Sequence, residues 1–527
     1  MAVSSQLIAF GCLLAALYFK VFKGRRIPPR GKSHCNIRVA VTEAYPGLKF
    51  PPGPPPKPLI GNLLDFPMAR EWETYHKWAQ QYGIGELVHI NVLGKHMLFV
   101  NSWRMAYELF DKRSSIYSDR PTTPMMHDLL GFGWAFVFQP YGEWWRWHRK
   151  AMHDQFHRSV VSVYYPVQVR NTRELLRRLN KSPEDYDAHL HWLAGAIIME
   201  MTYGIQVKPN HDPYLENVET VLAAITEAGI PGRFLVDTLP FLKYVPEWFP
   251  GAGFKRKVRG WRQAISDMVD LPFEAARAQL EAGTTNACFV TKLLEELSLH
   301  KSDSIKEDEV TVIKNTAGTL FLGGADTTVS AIRAFILAMV LHPKVQRKAQ
   351  KELDDFLGPD RLPEIEDMDQ LPYIVAIVKE ALRWRPLAPL AVPHCTSQED
   401  IVDGYYIPKG TIVFGNVVEM LRNEEHFGPD TDKFIPERHF NPDVRDPATT
   451  GAFGFGRRAC PGHTLAFNSL FIAFASILKV FNISNPREEN GKEFPVEYDW
   501  TSGFFFVPTP FKCTIKPRSE EAERLLL

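Results

Sequence analysis

The stretch from Ser304 to Pro343, SIKEDEVTVIKNTAGTLFLGGADTTVSAIRAFILAMVLHP, constrains the fold more than any other part of the chain. Ser304 with Glu307 makes a capping-box pattern, which predicts a helix start. Pro343 cannot continue a helix and predicts its end. A helix of about 37 residues is roughly 55 Å long. After Asn315 it is apolar nearly all round, so it must run through a core rather than across a surface. The chain that buries it must be large, and 527 residues with 45% hydrophobic content are enough. Length alone suggests three or four domains at about 150 residues each.

The pattern elsewhere is mainly α with small β-sheets. Glu86–Ser102, ELVHINVLGKHMLFVNS, alternates and is β-rich around an LGKH turn, which predicts a hairpin. Helical periodicity dominates from Arg104 to His342. From Leu390 to Phe414 strands return, with turn signals in DGYYIPKGT. A long apolar helix is expected after Cys460, in HTLAFNSLFIAFASILKVF. No repeat is visible. Formal net charge is zero, so nothing points to nucleic acid. The six cysteines are scattered without Cys-x-x-Cys spacing. That argues against a disulfide framework or structural zinc and for a reducing compartment.

The N-terminus reads as a membrane anchor over residues 1–22, centred on LIAFGCLLAALYF (Leu7–Phe19). Lys23, Arg25, Arg26, Arg30 and Lys32 follow it. The alternative is a cleaved signal peptide. Charge after the apolar run, and no Ala-x-Ala site before the basic cluster, favour an uncleaved single-pass anchor with the remaining chain cytosolic. On that topology the sequons at Asn180 and Asn482 stay bare. Residues 23–62 are a basic and proline-rich hinge, in which PPGPPPKPLIGN is expected to hold the anchor off the body. Within it, 30–50 has neither anchor nor linker character and reads as an unspliced insertion. Residues 63–527 then form the main domain.

Four constellations carry chemistry. In GGADTT, two adjacent glycines weaken a buried helix at a cost of about 1 kcal/mol each. The bland reading has Thr327 bonded back to the Gly323 carbonyl and Asp326 in a salt bridge. The functional one makes Asp326 and Thr327 a proton relay beside a gap for a small ligand. In KEALRWRP, Glu380 and Arg383 share one helix face between apolar flanks, so they are expected to be buried with a third partner, Arg438 of FIPERHF. In YGEWWRWHRK, Trp145 and Arg149 share a face and could clamp an anion; the alternative is a basic surface helix. Finally, FGFGRRACPG sets Cys460 in a constrained loop. A thiolate there suits iron, with Arg458, a helix N-terminus and turns at Gly456 and Gly462 managing its charge, and Pro461 in the first turn of the helix. Spacing alone supports a single-thiolate metal site and cannot name the cofactor.

The loop Phe453-x-x-Gly456-x-Arg458-x-Cys460-x-Gly462 resembles the heme-binding signature of cytochrome P450 enzymes. So do Glu380-x-x-Arg383, the PERH variant of the PERF motif, Trp145-x-x-x-Arg149, Gly324-Ala325-Asp326-Thr327-Thr328 and the proline hinge, in the family's order along nearly the whole chain. The resemblance implies one mostly helical domain of the triangular-prism type, against the length estimate. It implies heme b with Cys460 as the axial iron ligand. Trp145, Arg149, His394 and Arg458 match positions that contact the heme propionates; Phe453 and Gly462 belong to the cofactor loop. Glu380, Arg383 and Arg438 match a buried triad, and Asp326 and Thr327 an acid–alcohol pair that delivers protons. His439 stands where the motif usually has Phe, a change expected to alter packing rather than chemistry.

The closer resemblance is to the broad fungal, basidiomycete group. It implies a heme-thiolate monooxygenase that activates O2 with electrons from NADPH through a cytochrome P450 reductase, with cytochrome b5 as a second candidate donor. The expected setting is the endoplasmic reticulum membrane, in secondary metabolism or xenobiotic oxidation. Arg120–Phe138, the helix near Phe321, Leu387–Val392 and Ser502–Phe506 are apolar and aromatic, which suits a hydrophobic substrate. Arg233–Lys257, with Phe241, Trp248, Phe249 and Phe254, is expected to dip into the bilayer; the alternative is a core-packed loop. The rival functions are a heme-thiolate isomerase or peroxide-rearranging enzyme, which tends to lack the acid–alcohol pair, and a heme-bearing sensor.

Overall fold

The structure is a computed structural model that describes residues 48–526 except 68, 83–85, 231, 285, 300–306, 489, 490 and 502. The expected anchor (1–22), the start of the hinge, most of the suspected insertion and the capping residue Ser304 lie outside the described residues. The chain divides into two units, Met1–Phe50 with Asp403–Tyr405, and Pro51–Val402 with Tyr406–Leu527. The first is described only at 48–50 and 403–405. The second carries the site.

Its longer helices are α1 (Glu71–Gln81), α2 (Glu143–Phe156), α3 (Tyr165–Lys181), α4 (Tyr186–Tyr203), α5 (Pro213–Ala228), α6 (Phe254–Glu281), α7 (Phe289–Leu299), α8 (Glu307–Leu341), α9 (Pro343–Leu357), α10 (Pro372–Trp384) and α11 (His463–Val480). The expected long helix is α8. Its first turn carries Glu307, Asp308 and Glu309, which complement the positive end of the helix dipole. It stops at Leu341, and Pro343 opens α9 at a position where its missing N–H costs nothing. Beyond Asn315 most residues of α8 are buried. Among the described residues, α8 and α11 are the helices long and apolar enough to cross a membrane, but both are mostly buried inside the protein. They are core rods.

Strands β1 (Leu87–Val92) and β2 (Lys95–Val100) form the expected hairpin, with Leu93 and Gly94 both at positive φ, the conformation a tight two-residue turn requires. Leu390–Phe414 contributes β3 (His394–Cys395), β4 (Asp400–Val402), β5 (Tyr405–Ile407) and β6 (Ile412–Gly415). The four-stranded sheet runs β1-β2-β6-β3, with β2 and β6 parallel and the other pairs antiparallel. Phe99 of β2 stacks on Phe414 of β6 and on Tyr75 of α1. The C-terminal pair is β7 (Phe481–Ser484) with β8 (Thr514–Pro517).

The proline-rich segment is not a free strut from Pro51 onward. His89 donates to the Pro52 carbonyl at 2.8 Å, and Asn62 donates to the Asn91 carbonyl at 2.6 Å. A side chain at Gly53 would meet the His89 carbonyl oxygen at 2.0 Å, so only glycine lets the segment lie along β1. It is docked on the sheet.

Candidate functional site

The two helix glycines have separate jobs. A Cβ at Gly324 would come within 2.7 Å of Ile198 on α4, so the missing side chain is what lets α4 close on α8. A Cβ at Gly323 would meet nothing within 4 Å, and Gly323 is exposed in the middle of a buried helix. One face of α8 is therefore open there. Thr327 Oγ1 donates to the Gly323 carbonyl at 2.7 Å, the helix-internal bond of the bland reading, and it holds the hydroxyl at the edge of that open face. Asp326 is half-buried beside it. Burial pushes its carboxyl up; His191 and Arg333 pull it down, and Asp187 pushes up again, leaving it above the usual carboxylate range.

The Cys460 loop is shaped by close backbone approach. Gly456 lies at φ +50, and a Cβ there would sit 2.0 Å from the Phe110 carbonyl oxygen, so no other residue fits. Phe455 fills space left by Gly415 and Gly451 and stacks on Phe110. Cys460 donates its backbone N–H to the Phe453 carbonyl at 2.7 Å; this is what Phe453 contributes, its ring lying near His463. Gly462 caps α11 at φ −90, so it supplies no left-handed turn. Its N–H faces the sulfur instead, and Pro461 lies in the turn before α11, not in its first turn. Burial pushes the Cys460 thiol up, while the Gly462 N–H and Arg149 pull it down; burial prevails.

Around the loop sits a cage of buried and half-buried basic side chains. Arg149 donates to the Ala459 carbonyl at 2.7 Å. Arg458 donates to the carbonyls of Ser118, Phe136 and Gln139, and its guanidinium lies 4.5 Å from the ring centroid of Trp145. His394 Nδ1 donates to the Tyr117 carbonyl at 2.7 Å, which leaves Nε2 for another partner. A fourth member, Arg120, donates to the carbonyls of Val137, Val392 and Pro393. Among the described residues, every side-chain hydrogen bond these three arginines make goes to a carbonyl. Asp119, the nearby acid, spends its Oδ1 on the backbone amides of Arg120 and Tyr141. Burial pushes Arg120 and His394 well below their usual ranges and Arg458 to about 10. A set of buried cations bonded only to carbonyls fits a ligand that brings its own negative charge. Heme, with two carboxylates, fits the cage, the adjacent sulfur and the open face of α8. Arg120 was not expected: RPTTP gives no local sign that its arginine is carried to Arg458.

Glu380 and Arg383 are fully buried. Arg383 holds the carboxylate through Nε and Nη2, both at 2.8 Å, and Arg438 Nε donates to Oε1 at 3.1 Å, as expected of the third partner. The expectation for His439 is corrected. Its Nε2 lies 2.9 Å from Glu380 Oε2, so it is a further donor to the same carboxylate and not a packing substitute for Phe. Burial pushes Glu380 up, but Arg383 and His439 outweigh it and hold the carboxyl at about 2.

The expected apolar lining is only partly assembled. Phe506 donates its N–H to the Leu387 carbonyl at 2.7 Å, which joins two of the segments. Phe504 lies against Gly229. Phe321 instead turns into the core against Tyr203, Phe506 is buried against Trp72, and Ser502 lies outside the described residues. Within Arg233–Lys257, Phe241, Tyr244 and Trp248 are exposed, whereas Phe249 and Phe254 are half-buried.

Residues 51–515 match the family model described as Cytochrome P450. The chain is 42% identical over 482 residues to a cytochrome P450 monooxygenase of Armillaria gallica, covering 91% of this chain and 94% of that protein. It is 42% identical over 499 residues to cytochrome P450 monooxygenase 98 of Postia placenta, covering 93% and 95%. It is 37% identical over 482 residues to the tryptamine 4-monooxygenase of Psilocybe cyanescens, covering 90% and 94%.

Proposed function

The chain belongs to the cytochrome P450 family and is a monooxygenase, and on that premise we propose that it hydroxylates a hydrophobic small molecule with electrons from an NADPH–cytochrome P450 reductase, with cytochrome b5 as a second donor. The observation that carries the cofactor reading is the cage of Arg120, Arg149, Arg458 and His394 beside Cys460, whose arginine side chains bond only to carbonyls. When bound, heme b supplies dioxygen activation and oxygen insertion.

The protein's own residues do the rest. Cys460 holds the iron, with the Gly462 N–H and Arg149 offsetting the sulfur's charge. Arg120, Arg149 and Arg458 would hold the carboxylates, with Trp145 fixing the plane of Arg458, and a carboxylate placed at His394 Nε2 would favour protonation of that nitrogen. The Glu380 cluster fixes the backbone behind that side, since Arg383 and Arg438 also bind carbonyls between Leu421 and Lys433. Thr327 Oγ1 and the Asp326 carboxyl deliver protons at the open face of α8. Half-buried apolar groups such as Phe504 and Leu390 suit an apolar substrate.

The anchor over residues 1–22 places the enzyme on the endoplasmic reticulum membrane with its catalytic unit in the cytosol. The exposed Phe241, Tyr244 and Trp248 give it a second contact with the lipid. The setting is fungal secondary metabolism or xenobiotic oxidation. The test is expression of the full chain with a fungal reductase. The reduced carbon monoxide complex should show a red-shifted Soret band that Cys460→Ala loses, and NADPH-dependent products should be absent from the Cys460→Ala control. Product formation independent of NADPH and reductase would overturn the monooxygenase reading in favour of a rearrangement.

A further inference from the structure

One face of α2 runs along the Cys460 loop. Positions 145, 149 and 152 are spaced four and three apart, so their side chains line a single helix face. Each touches the loop, and they do so in order. The Arg458 guanidinium lies 4.5 Å from the Trp145 ring centroid, and Arg149 donates to the Ala459 carbonyl at 2.7 Å. Met152 comes next and reaches Gly462. Trp145 and Arg149 are expected from their spacing. Met152, in HRKAMHDQF, carries no local sign of a role.

The contact at Gly462 fixes where the Met152 side chain ends. A Cβ at Gly462 would sit 3.7 Å from Met152 Cε and 4.0 Å from Cys460 Sγ. One point is thus within van der Waals reach of both atoms. Among the described residues, and apart from the glycine's own chain neighbours, no other residue comes within 4 Å of that point. The thioether methyl and the cysteine sulfur therefore flank the same bare stretch of backbone. Met152 is 6% exposed, whereas His463, the residue after Gly462, is exposed. Solvent reaches the chain one residue beyond the sulfur's flank.

We propose that Met152 is a positioning residue that acts through Cys460: its apolar end keeps water and polar hydrogens off the Gly462 flank of the sulfur and so holds the reduction potential of the iron low. Burial and hydrogen bonding around a ligating sulfur are two of the levers by which a protein sets that potential. Reduction adds one negative charge beside the sulfur. A water or a polar hydrogen at this flank stabilises that charge, so admitting either raises the potential. An unbranched, flexible side chain suits the task, since it can follow an irregular loop surface. The proposal rests on the reading of Cys460 as the iron ligand.

The test compares the parent with Met152→Leu and Met152→Gln, each as the full-length, heme-loaded chain. Leu keeps the apolar volume. Gln keeps the length and puts an amide N–H group where the methyl stood. Two readouts are taken: the midpoint potential by spectroelectrochemical titration, and the iron–sulfur stretching frequency by resonance Raman in H2O and D2O. Met152→Gln should raise the midpoint by about 60 mV, a tenfold change in the equilibrium constant for one electron. It should also show a larger D2O shift of the stretch than the parent. Met152→Leu should match the parent in both. An unmoved midpoint or an unchanged isotope shift in Met152→Gln overturns the proposal. So does a Leu variant that moves as far as the Gln variant, which would make Met152 a packing residue only. If the parent's reduced carbon monoxide complex lacks the thiolate Soret band, the reading of Cys460 falls first and this proposal with it. Should the Gln variant fail to load heme, Met152→Thr takes its place under the same criteria.

Discussion

Gly323 and Gly324 are neighbours in one helix, and replacing each by alanine separates two effects that are usually mixed. Both substitutions gain about 1 kcal/mol of helix propensity. That gain cancels in the difference between them. At Gly323 the new methyl meets nothing within 4 Å. At Gly324 it would lie 2.7 Å from Ile198 Cγ1, 2.8 Å from Cδ1 and 3.1 Å from Cβ. These distances are about 1 Å inside the carbon–carbon optimum of roughly 3.5–4.0 Å. Ile198 is β-branched and stiff at χ1, so relief requires α4 to shift against α8. Overpacking of this kind costs about 1–3 kcal/mol. Gly324→Ala should therefore be less stable than Gly323→Ala by that amount, a roughly 5- to 150-fold difference in the folded-to-unfolded ratio. Urea unfolding, followed by far-UV circular dichroism and Soret absorbance at a common slope, measures the difference. Adding Ile198→Ala to Gly324→Ala should recover part of the loss, with a coupling of about 1 kcal/mol or more between the two sites. Equal midpoints for the two glycine variants, or additivity in the double variant, would refute the assignment of Gly324 to helix packing.

Thr327→Ala removes a hydroxyl bonded only within its own helix, so heme loading should persist while NADPH use uncouples from product; equal coupling in variant and parent would reject its role in proton delivery. Glu380 is held at about 2 against an ordinary 4.5, so its contribution, on the order of 3 kcal/mol, is fully present above about pH 4.5 and lost as pH falls through about 2. An acid titration of stability should show that limb. His439→Phe removes a charge-assisted hydrogen bond, should cost about 1.5 kcal/mol, and should move the acid limb to higher pH because Glu380 loses a donor. For residues 30–50, tryptic digestion of the native protein should yield no abundant peptide from within the stretch if it is an unspliced insertion.

What was legible in the residues was local. Pro343 delimits the end of α8 within a turn, the LGKH turn sets the hairpin, and Glu380-x-x-Arg383 places two charges on one face by helix periodicity alone. The Cys460 loop could be read because each constraint lies within ten residues: a left-handed Gly456, a cysteine and a helix start. What could not be read was assembled by tertiary contact. Arg120, Arg149, His394 and Arg458 come from four distant segments, and no spacing rule relates Arg120 to the rest. The glycine pair was read as one weakened helix turn, whereas only the position of Ile198 shows that Gly324 serves packing and Gly323 faces open space.

His439 shows how a motif can mislead. Against the usual Phe it counts as a packing change, because a motif records residue identity and not the atoms in reach. Once α10 and the 436–440 turn are brought together, its Nε2 is 2.9 Å from a carboxylate that already has two arginine partners. A buried carboxylate with an unfilled acceptor site is costly, and a phenyl ring could not fill it. In this chain the change from ring to imidazole therefore adds a proton-bearing group to the charge cluster.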